Sequence, residues 1–137
     1  MTKARLTALF AIPFLAFWTY FMVSAFGSAK CHNLIYPAQD RLAACRGGDA
    51  RLGFLMTDAQ RAGNAFWQGL ALAELGQTED ARTAFARSFL LKWQAAGQSL
   101  PRFERFVAED LRQLSAPSVT EETREIWRDA LKDPRPR

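Results

Sequence analysis

Apolar residues follow two different patterns along this chain. From Leu6 to Ala29 there is no charged residue, and most of the side chains are apolar. A helix of this length reaches about 36 Å, enough to cross a hydrocarbon core of about 30 Å. Further along, apolar residues recur three or four positions apart, as on one face of a helix. The pattern predicts an all-α chain, with a transmembrane anchor at 1–30 and a small helical bundle at 31–132.

Residues typical of helix ends divide the predicted helical bundle at 31–132 into separate helices. Gly47 and Gly48 are expected to end a first short helix, and Thr57 opens a capping box at the start of a longer one. Ser118, followed three positions later by Glu121, has the same pattern and is predicted to cap the last helix. The predicted helices span 37–46, 57–75, 78–96, 101–114 and 119–132, and a flexible tail is expected at 133–137.

Two of these helices are joined by a short connection, which makes them an antiparallel hairpin. Gly76 is predicted to supply the left-handed turn, and Thr78 to cap the second helix. Gly69 and Ala81 have almost no side chain, so the two backbones are expected to approach closely. Phe85 is then expected to wedge between the helices.

This hairpin, at residues 65–93, resembles a tetratricopeptide repeat, a unit of about 34 residues made of two helices. The matching positions are Gly69, Leu72, Gly76, Ala81 and Phe85. Two positions depart from the repeat, because Ala65 stands where a large aromatic is usual and Trp93 where a proline is usual. No second copy is found, so flanking helices are expected to cover the apolar face. The resemblance implies a protein–protein interaction module with a concave groove, and it implies no catalysis.

Composition narrows the function classes. The chain has 137 residues, a formal charge of +4, one histidine and two cysteines. These numbers disfavour a Cys-rich zinc module and a His-dependent catalytic triad. The basic residues are scattered rather than clustered, which argues against nucleic-acid binding. The sequence therefore predicts no catalytic residues, no metal site and no cofactor, and it predicts that the protein is not an enzyme.

The two cysteines, Cys31 and Cys45, are separated by fourteen positions. In an oxidising envelope compartment they are expected to form a disulfide, and the alternative is a pair of unlinked thiols. A bridge of this span would stabilise the fold by about 3 kcal/mol on chain-entropy grounds.

Basic residues before the apolar segment indicate its orientation. Lys3 and Arg5 favour a cytoplasmic N-terminus, which would place the helical domain in the periplasm of a bacterial inner-membrane protein that crosses once. The small residues Gly27, Ser28 and Ala29 also fit a signal-peptidase site. The length of the segment favours an uncleaved signal-anchor over a cleaved signal peptide, and both alternatives remain open.

Four phenylalanines of this segment, Phe10, Phe14, Phe17 and Phe21, fall on one helical face. They are interpreted either as a contact face for a neighbouring membrane helix or as side chains that face lipid.

Together these observations lead to the hypothesis of a membrane-anchored protein–protein interaction module, which acts as a scaffold or assembly factor for an envelope complex. The bilayer and a protein of the inner membrane or periplasm are its expected partners. An alternative is an integral accessory subunit held through its transmembrane helix, and a third is a small enzyme or binding protein released by cleavage. The candidate partner-binding residues are Asn64, Trp67, Gln68, Glu74, Arg82 and Arg87.

Overall fold

A computed structural model describes the backbone of residues 3–134, and the side chains of residues 10–23 and 29–134. Its elements are α1 (Lys3–Ala29), α2 (Ala38–Leu52), a 3-10 turn (Gly53–Leu55), α3 (Asp58–Glu74), α4 (Thr78–Ala95), α5 (Leu100–Leu114) and α6 (Glu121–Lys132). The secondary structure described between residues 3 and 134 is thus helical, which confirms the all-α part of the prediction. Residues 135–137 of the predicted tail lie outside the described residues.

Helices α3 and α4 form the predicted hairpin at the centre of the domain. Thr57 caps α3 through a complete capping box with Gln60, as expected. Gly76 has φ +74°, a left-handed conformation that glycine adopts without steric penalty, and it turns the chain into α4. The side chain of Phe85 is fully buried against Gly69, which confirms the predicted close packing of the two helices.

The remaining helices cover this hairpin. Helix α2 packs on α3, while α5 and α6 pack on α4. The core is rich in aromatic rings: Phe66 lies 5.8 Å from Phe85, and Phe89 lies 5.4 Å from Trp127 of α6, measured between ring centroids. A single helical pair is therefore buried by its neighbours on more than one side.

Helix α2 is longer than predicted, because it continues through Gly47 and Gly48. Glycine costs about 1 kcal/mol relative to alanine in a helix interior, which is why a break was expected. Tertiary contacts of the next helical turn, at Asp49 and Arg51, outweigh the cost of the two glycines. Asp49 accepts hydrogen bonds from two side chains of α3, and the carbonyl oxygen of Arg51 accepts one from α1.

Two predicted helix caps are displaced. The N-cap of α6 is Thr120, whose hydroxyl accepts the N–H of Thr123, and not Ser118. Helix α4 begins at Thr78 itself, so that Gln77 occupies its N-cap position without a side-chain hydrogen bond. In both places neighbouring polar residues stand at the start of the helix, and pattern alone does not select which of them occupies the N-cap position.

The transmembrane prediction needs correction. None of the helices in the described part of the chain combines the length and the hydropathy that a membrane span requires. The structure thus does not support a transmembrane anchor at 1–30, a signal-anchor, or a single-pass inner-membrane location with a periplasmic domain.

Instead, the C-terminal half of α1 lies against the helical domain. The hydroxyl of Tyr20 donates a hydrogen bond to the carbonyl oxygen of Arg51 in α2, at 3.2 Å. The four phenylalanines of the predicted contact face, Phe10, Phe14, Phe17 and Phe21, are exposed, from 68% for the first to 38% for the last. The lower exposure of Phe21 reflects its position at a cavity of the helical domain.

Candidate functional site

A cavity of about 530 Å³ opens between the C-terminal half of α1, the 3-10 turn and the first turns of α3. Its volume lies within the range of roughly 300–1,000 Å³ that is usual for ligand-binding pockets. The apolar part of its lining consists of Phe21, Leu52, Leu55, Met56, Ala59 and Gly63. Its polar edge is formed by His32, Gln60 and Asn64.

Small residues on α3 leave the space for this cavity. Ala59 and Gly63 stand four positions apart on the same face of the helix, and both line the cavity. A Cβ atom added at Gly63 would meet no heavy atom within 4 Å. Leu55 and Met56, which follow α2 in the chain, also line the cavity. The cavity is thus created by the direction in which the 3-10 turn leads the chain into α3.

A chain of hydrogen bonds runs from α2 through α3 to the cavity edge. Asn64 is almost fully buried, and its Nδ2 atom donates to Oδ1 of Asp49 at 3.0 Å. His32 Nε2 lies 2.8 Å from Asn64 Oδ1. An ionised carboxylate only accepts hydrogen bonds, so Asp49 fixes the orientation of the Asn64 amide. The amide oxygen therefore faces Nε2 of His32.

The imidazole is held by two further contacts. The ring of Trp67 stacks on His32 with 5.6 Å between the centroids. Cys31, the neighbour of His32, forms a disulfide with Cys45 of α2, and both cysteines are fully buried. The bridge attaches the loop before α2 to that helix, so His32 is positioned by a covalent link as well as by Asn64.

The structure brings together some of the predicted partner-binding residues. Asn64 and Gln68 share the polar network, since Gln68 Nε2 donates to Oδ2 of Asp49 at 2.7 Å, and Trp67 stacks on His32 beside it. Arg87 lies at its margin, with Nη1 4.0 Å from the same carboxylate oxygen. Asn64, Gln68 and Arg87 are therefore grouped around one acidic side chain, Asp49, and Trp67 adjoins them through His32.

The other two predicted contact residues lie elsewhere. Glu74, at the end of α3, pairs with the buried Arg41. Arg82 is itself buried, and it binds the carboxylate of Asp129 and the carbonyl oxygen of Asp133 near the end of α6. Their structural partners come from distant parts of the chain, which the sequence pattern did not reveal.

Sequence reasoning also missed two members of the site. Asp49 directly follows the predicted helix break at Gly47 and Gly48 and drew no prediction, although it is the acceptor at the centre of the network. In the sequence the single histidine, His32, counts only as an argument against a His-dependent catalytic triad, whereas the structure places it at the edge of an apolar cavity. Its position next to a cysteine that forms a disulfide was the one sequence signal of a fixed histidine. Among the described side chains, no group of three or more His, Cys, Asp or Glu is placed to hold a metal ion.

The arrangement combines an apolar volume with hydrogen-bonding groups along one edge. Such a site can take up an apolar side chain or ring while His32 and Gln60 bond to a neighbouring polar group. Comparisons of this chain with protein-family models, with curated proteins and with solved structures give no match.

Proposed function

We propose that this protein is a protein–protein interaction module, a scaffold or assembly factor that binds an apolar segment of another protein in the cavity between α1 and α3. The observation that carries the proposal is the combination of an apolar lining with a fixed polar edge at His32 and Asn64. Grooves of this kind accept the apolar face of a partner helix, with polar groups that set its orientation.

Exposed apolar residues next to the cavity support this function. Phe54 is 75% exposed and Leu55 is 54% exposed, and both belong to the 3-10 turn that forms one wall. A contiguous apolar patch bordered by polar groups is typical of interaction surfaces. The resemblance of residues 65–93 to a tetratricopeptide repeat supports the same function, because that family binds peptides and partner helices.

A photo-crosslinking amino acid placed in the cavity wall tests the proposal. Introduced in place of Ala59, it is expected to capture a protein that the same group at Glu104, on the exposed face of α5, does not capture. The captured protein is then purified, and its affinity for the intact chain is measured directly. Capture of a small molecule, or equal capture at the two positions, would contradict the proposal.

A pair of matched substitutions identifies the surface. Leu55→Asp places a charge in the cavity wall, and Leu100→Asp places the same charge at a leucine of similar exposure on α5, 58% against 54%. The first is expected to weaken binding of the purified partner by at least about ten-fold and the second by less than about two-fold. Circular dichroism of both variants verifies that they remain folded.

A further inference from the structure

The 3-10 turn that borders the apolar cavity also borders a second one, of about 250 Å³. This basic cavity is lined by Asp49, Gly53, Phe54, Arg61 and Arg87. Leu55 of the same turn lines the apolar cavity, and so does Gln60, the neighbour of Arg61 in α3. The two cavities are therefore adjacent along the turn and the start of α3, so that one bound segment can reach both.

Positive charge is in excess in the basic cavity, because it has two arginines and one carboxylate in its lining. The two oxygen atoms of Asp49 already accept hydrogen bonds from the amides of Asn64 and Gln68. Nη1 of Arg87 lies 4.0 Å from the same carboxylate, beyond hydrogen-bond distance, and the Arg87 side chain is 55% exposed. Asp49 therefore leaves the hydrogen-bonding capacity of this guanidinium unused.

The second guanidinium of the basic cavity, that of Arg61, is held in place. Its Nε and Nη2 atoms both donate to the carbonyl oxygen of Gly53, at 3.2 and 2.8 Å. These bonds attach the half-buried side chain to the 3-10 turn, and Nη1 makes no hydrogen bond to the described residues. A side chain that is already ordered loses less entropy on binding, so Arg61 is a preorganised cation.

A carboxylate is the group that this pair of arginines fits. Guanidinium groups bind carboxylates through charge-assisted hydrogen bonds in a planar geometry. Asp49 in the same lining repels anions, and this repulsion rises with their charge, so a monovalent carboxylate is favoured over a divalent phosphate. The exposed ring of Phe54 gives the cavity an apolar border that can contact the methylene groups of an acidic side chain.

We propose that the segment bound in the apolar cavity is acidic, and that it places an aspartate or glutamate in the basic cavity lined by Arg61 and Arg87. This inference rests on the proposed function and specifies the chemistry of the partner: an amphipathic segment with a carboxylate next to its apolar face. The two cavities adjoin different residues of one turn, so together they fix the direction in which the segment lies.

Three labelled peptides that differ only in charge test the inference. Each is an amphipathic helix of about 18 residues, built from leucine and alanine, whose positions next to the leucine face are glutamate, glutamine or lysine. Fluorescence anisotropy measures their affinities for the full chain. The glutamate peptide is expected to bind at least about three-fold more tightly than the glutamine peptide, and the lysine peptide the most weakly. The difference should shrink in about 1 M salt, where the Debye length is about 3 Å.

Charge-changing variants assign this preference to the basic cavity, since a chain with a formal charge of +4 attracts acidic peptides in general. Arg87→Glu makes the cavity net negative and is expected to reverse the preference, so that the glutamine peptide binds more tightly than the glutamate peptide. Arg105→Glu makes the same change at an exposed position of α5, and it should alter the ratio of the two affinities by less than about two-fold. Circular dichroism verifies that both variants are folded.

Gly63→Leu distinguishes this inference from the proposed function, because it fills the apolar cavity without changing its charge. It is expected to weaken binding of all three peptides by a similar factor, about five-fold or more. Equal affinities of the three peptides, or an acidic preference that Arg87→Glu leaves unchanged, would overturn the inference alone, provided that Gly63→Leu still weakens binding. Affinities that Gly63→Leu leaves unchanged would contradict both proposals. The inference also fails if none of the peptides binds with a Kd below about 1 mM.

Discussion

The ring of Phe85 packs against the backbone of Gly69, at the contact between the two central helices. A Cβ atom added at Gly69 would come within 2.5 Å of Cε1 of this ring. Phe85 is fully buried and is surrounded by the core, so the ring has no free volume into which it can retreat. The absence of one methyl group thus sets the distance between α3 and α4.

We therefore expect Gly69→Ala to destabilise the fold, although alanine is the better helix former. Overpacking costs about 1–3 kcal/mol, while the gain in helix propensity is about 1 kcal/mol, so a net loss of up to about 2 kcal/mol is expected. Urea unfolding measures the effect. Gly63→Ala in the same helix, where a Cβ meets open space, is the control and should raise the free energy of unfolding. Equal gains at both positions would contradict this packing.

The ion pair between Lys92 and Asp110 is buried in the core. Both residues are less than 5% exposed, and Trp127 Nε1 donates to Asp110 at 3.2 Å. Burial lowers the pKa of Lys92 and raises the pKa of Asp110, and their mutual attraction opposes both shifts. Loss of either partner leaves the other charge unpaired in an apolar surrounding.

Lys92→Met and Asp110→Leu are each expected to cost about 3–5 kcal/mol, whereas the double variant should lose much less than the sum. A double-mutant cycle by chemical denaturation measures the coupling. Glu109→Gln, which breaks the exposed pair with Arg112, is the control and should cost under about 0.5 kcal/mol. Additive losses in the cycle would show that the two charges do not depend on each other.

The disulfide between Cys31 and Cys45 encloses a loop with a sequence separation of 14. A crosslink of this span stabilises a fold by about 3 kcal/mol on chain-entropy grounds, so a reductant should lower the free energy of unfolding by about that amount. Thermal and urea unfolding with and without reductant measure the loss. A variant with both cysteines replaced by alanine is the control, because reductant should leave it unchanged.

Local sequence signals predicted helix starts and turns correctly, but they did not predict where a helix continues against its local preference. The Thr57 capping box and the left-handed Gly76 depend on residues within a few positions, and both are present. The continuation of α2 through Gly47 and Gly48 depends on contacts of Asp49 with α3, which lies fifteen or more positions away. Local pattern carries no information about such contacts.

The candidate site was even less accessible to sequence reasoning. His32 and Asn64 meet across 32 positions, and their contact requires the disulfide, the 3-10 turn and the α2–α3 packing to be in place. Asn64 and Gln68 were selected as polar residues of the hairpin available to a partner, yet the structure uses both to bind Asp49. The apolar segment illustrates the same limit, since a run of uncharged residues predicted a membrane span that the described residues do not support.

A negatively charged side chain at position 64 is expected to destabilise the fold. Asn64→Asp removes the N–H donor that binds Asp49 and places two carboxylates within about 3 Å, so a loss of about 2–3 kcal/mol is expected. Asn33→Asp is the matched control. Its Oδ1 accepts the N–H of Ile35, a role that a carboxylate retains, and the change should stay within about 0.5 kcal/mol. Equal effects of the two substitutions would mean that Asp49 does not fix the amide.

Glu121, in the first turn of α6, should make the free energy of unfolding depend on pH in the acidic range. Hydrogen bonds from Arg128 at 2.7 Å and Arg124 at 2.9 Å hold the pKa of this carboxyl below its ordinary value of 4.5. A carboxyl whose pKa is lower in the folded state stabilises the fold above its unfolded pKa, and this contribution disappears as the pH falls through the folded value. Glu121→Gln should therefore be less stable than the wild type at pH 7, and the difference should close below the ordinary pKa.

Urea unfolding midpoints across the acidic range measure this difference, with Glu122→Gln as a control that removes the same charge from the same helical turn. A difference that persists unchanged at low pH would show that its origin is not ionisation of Glu121.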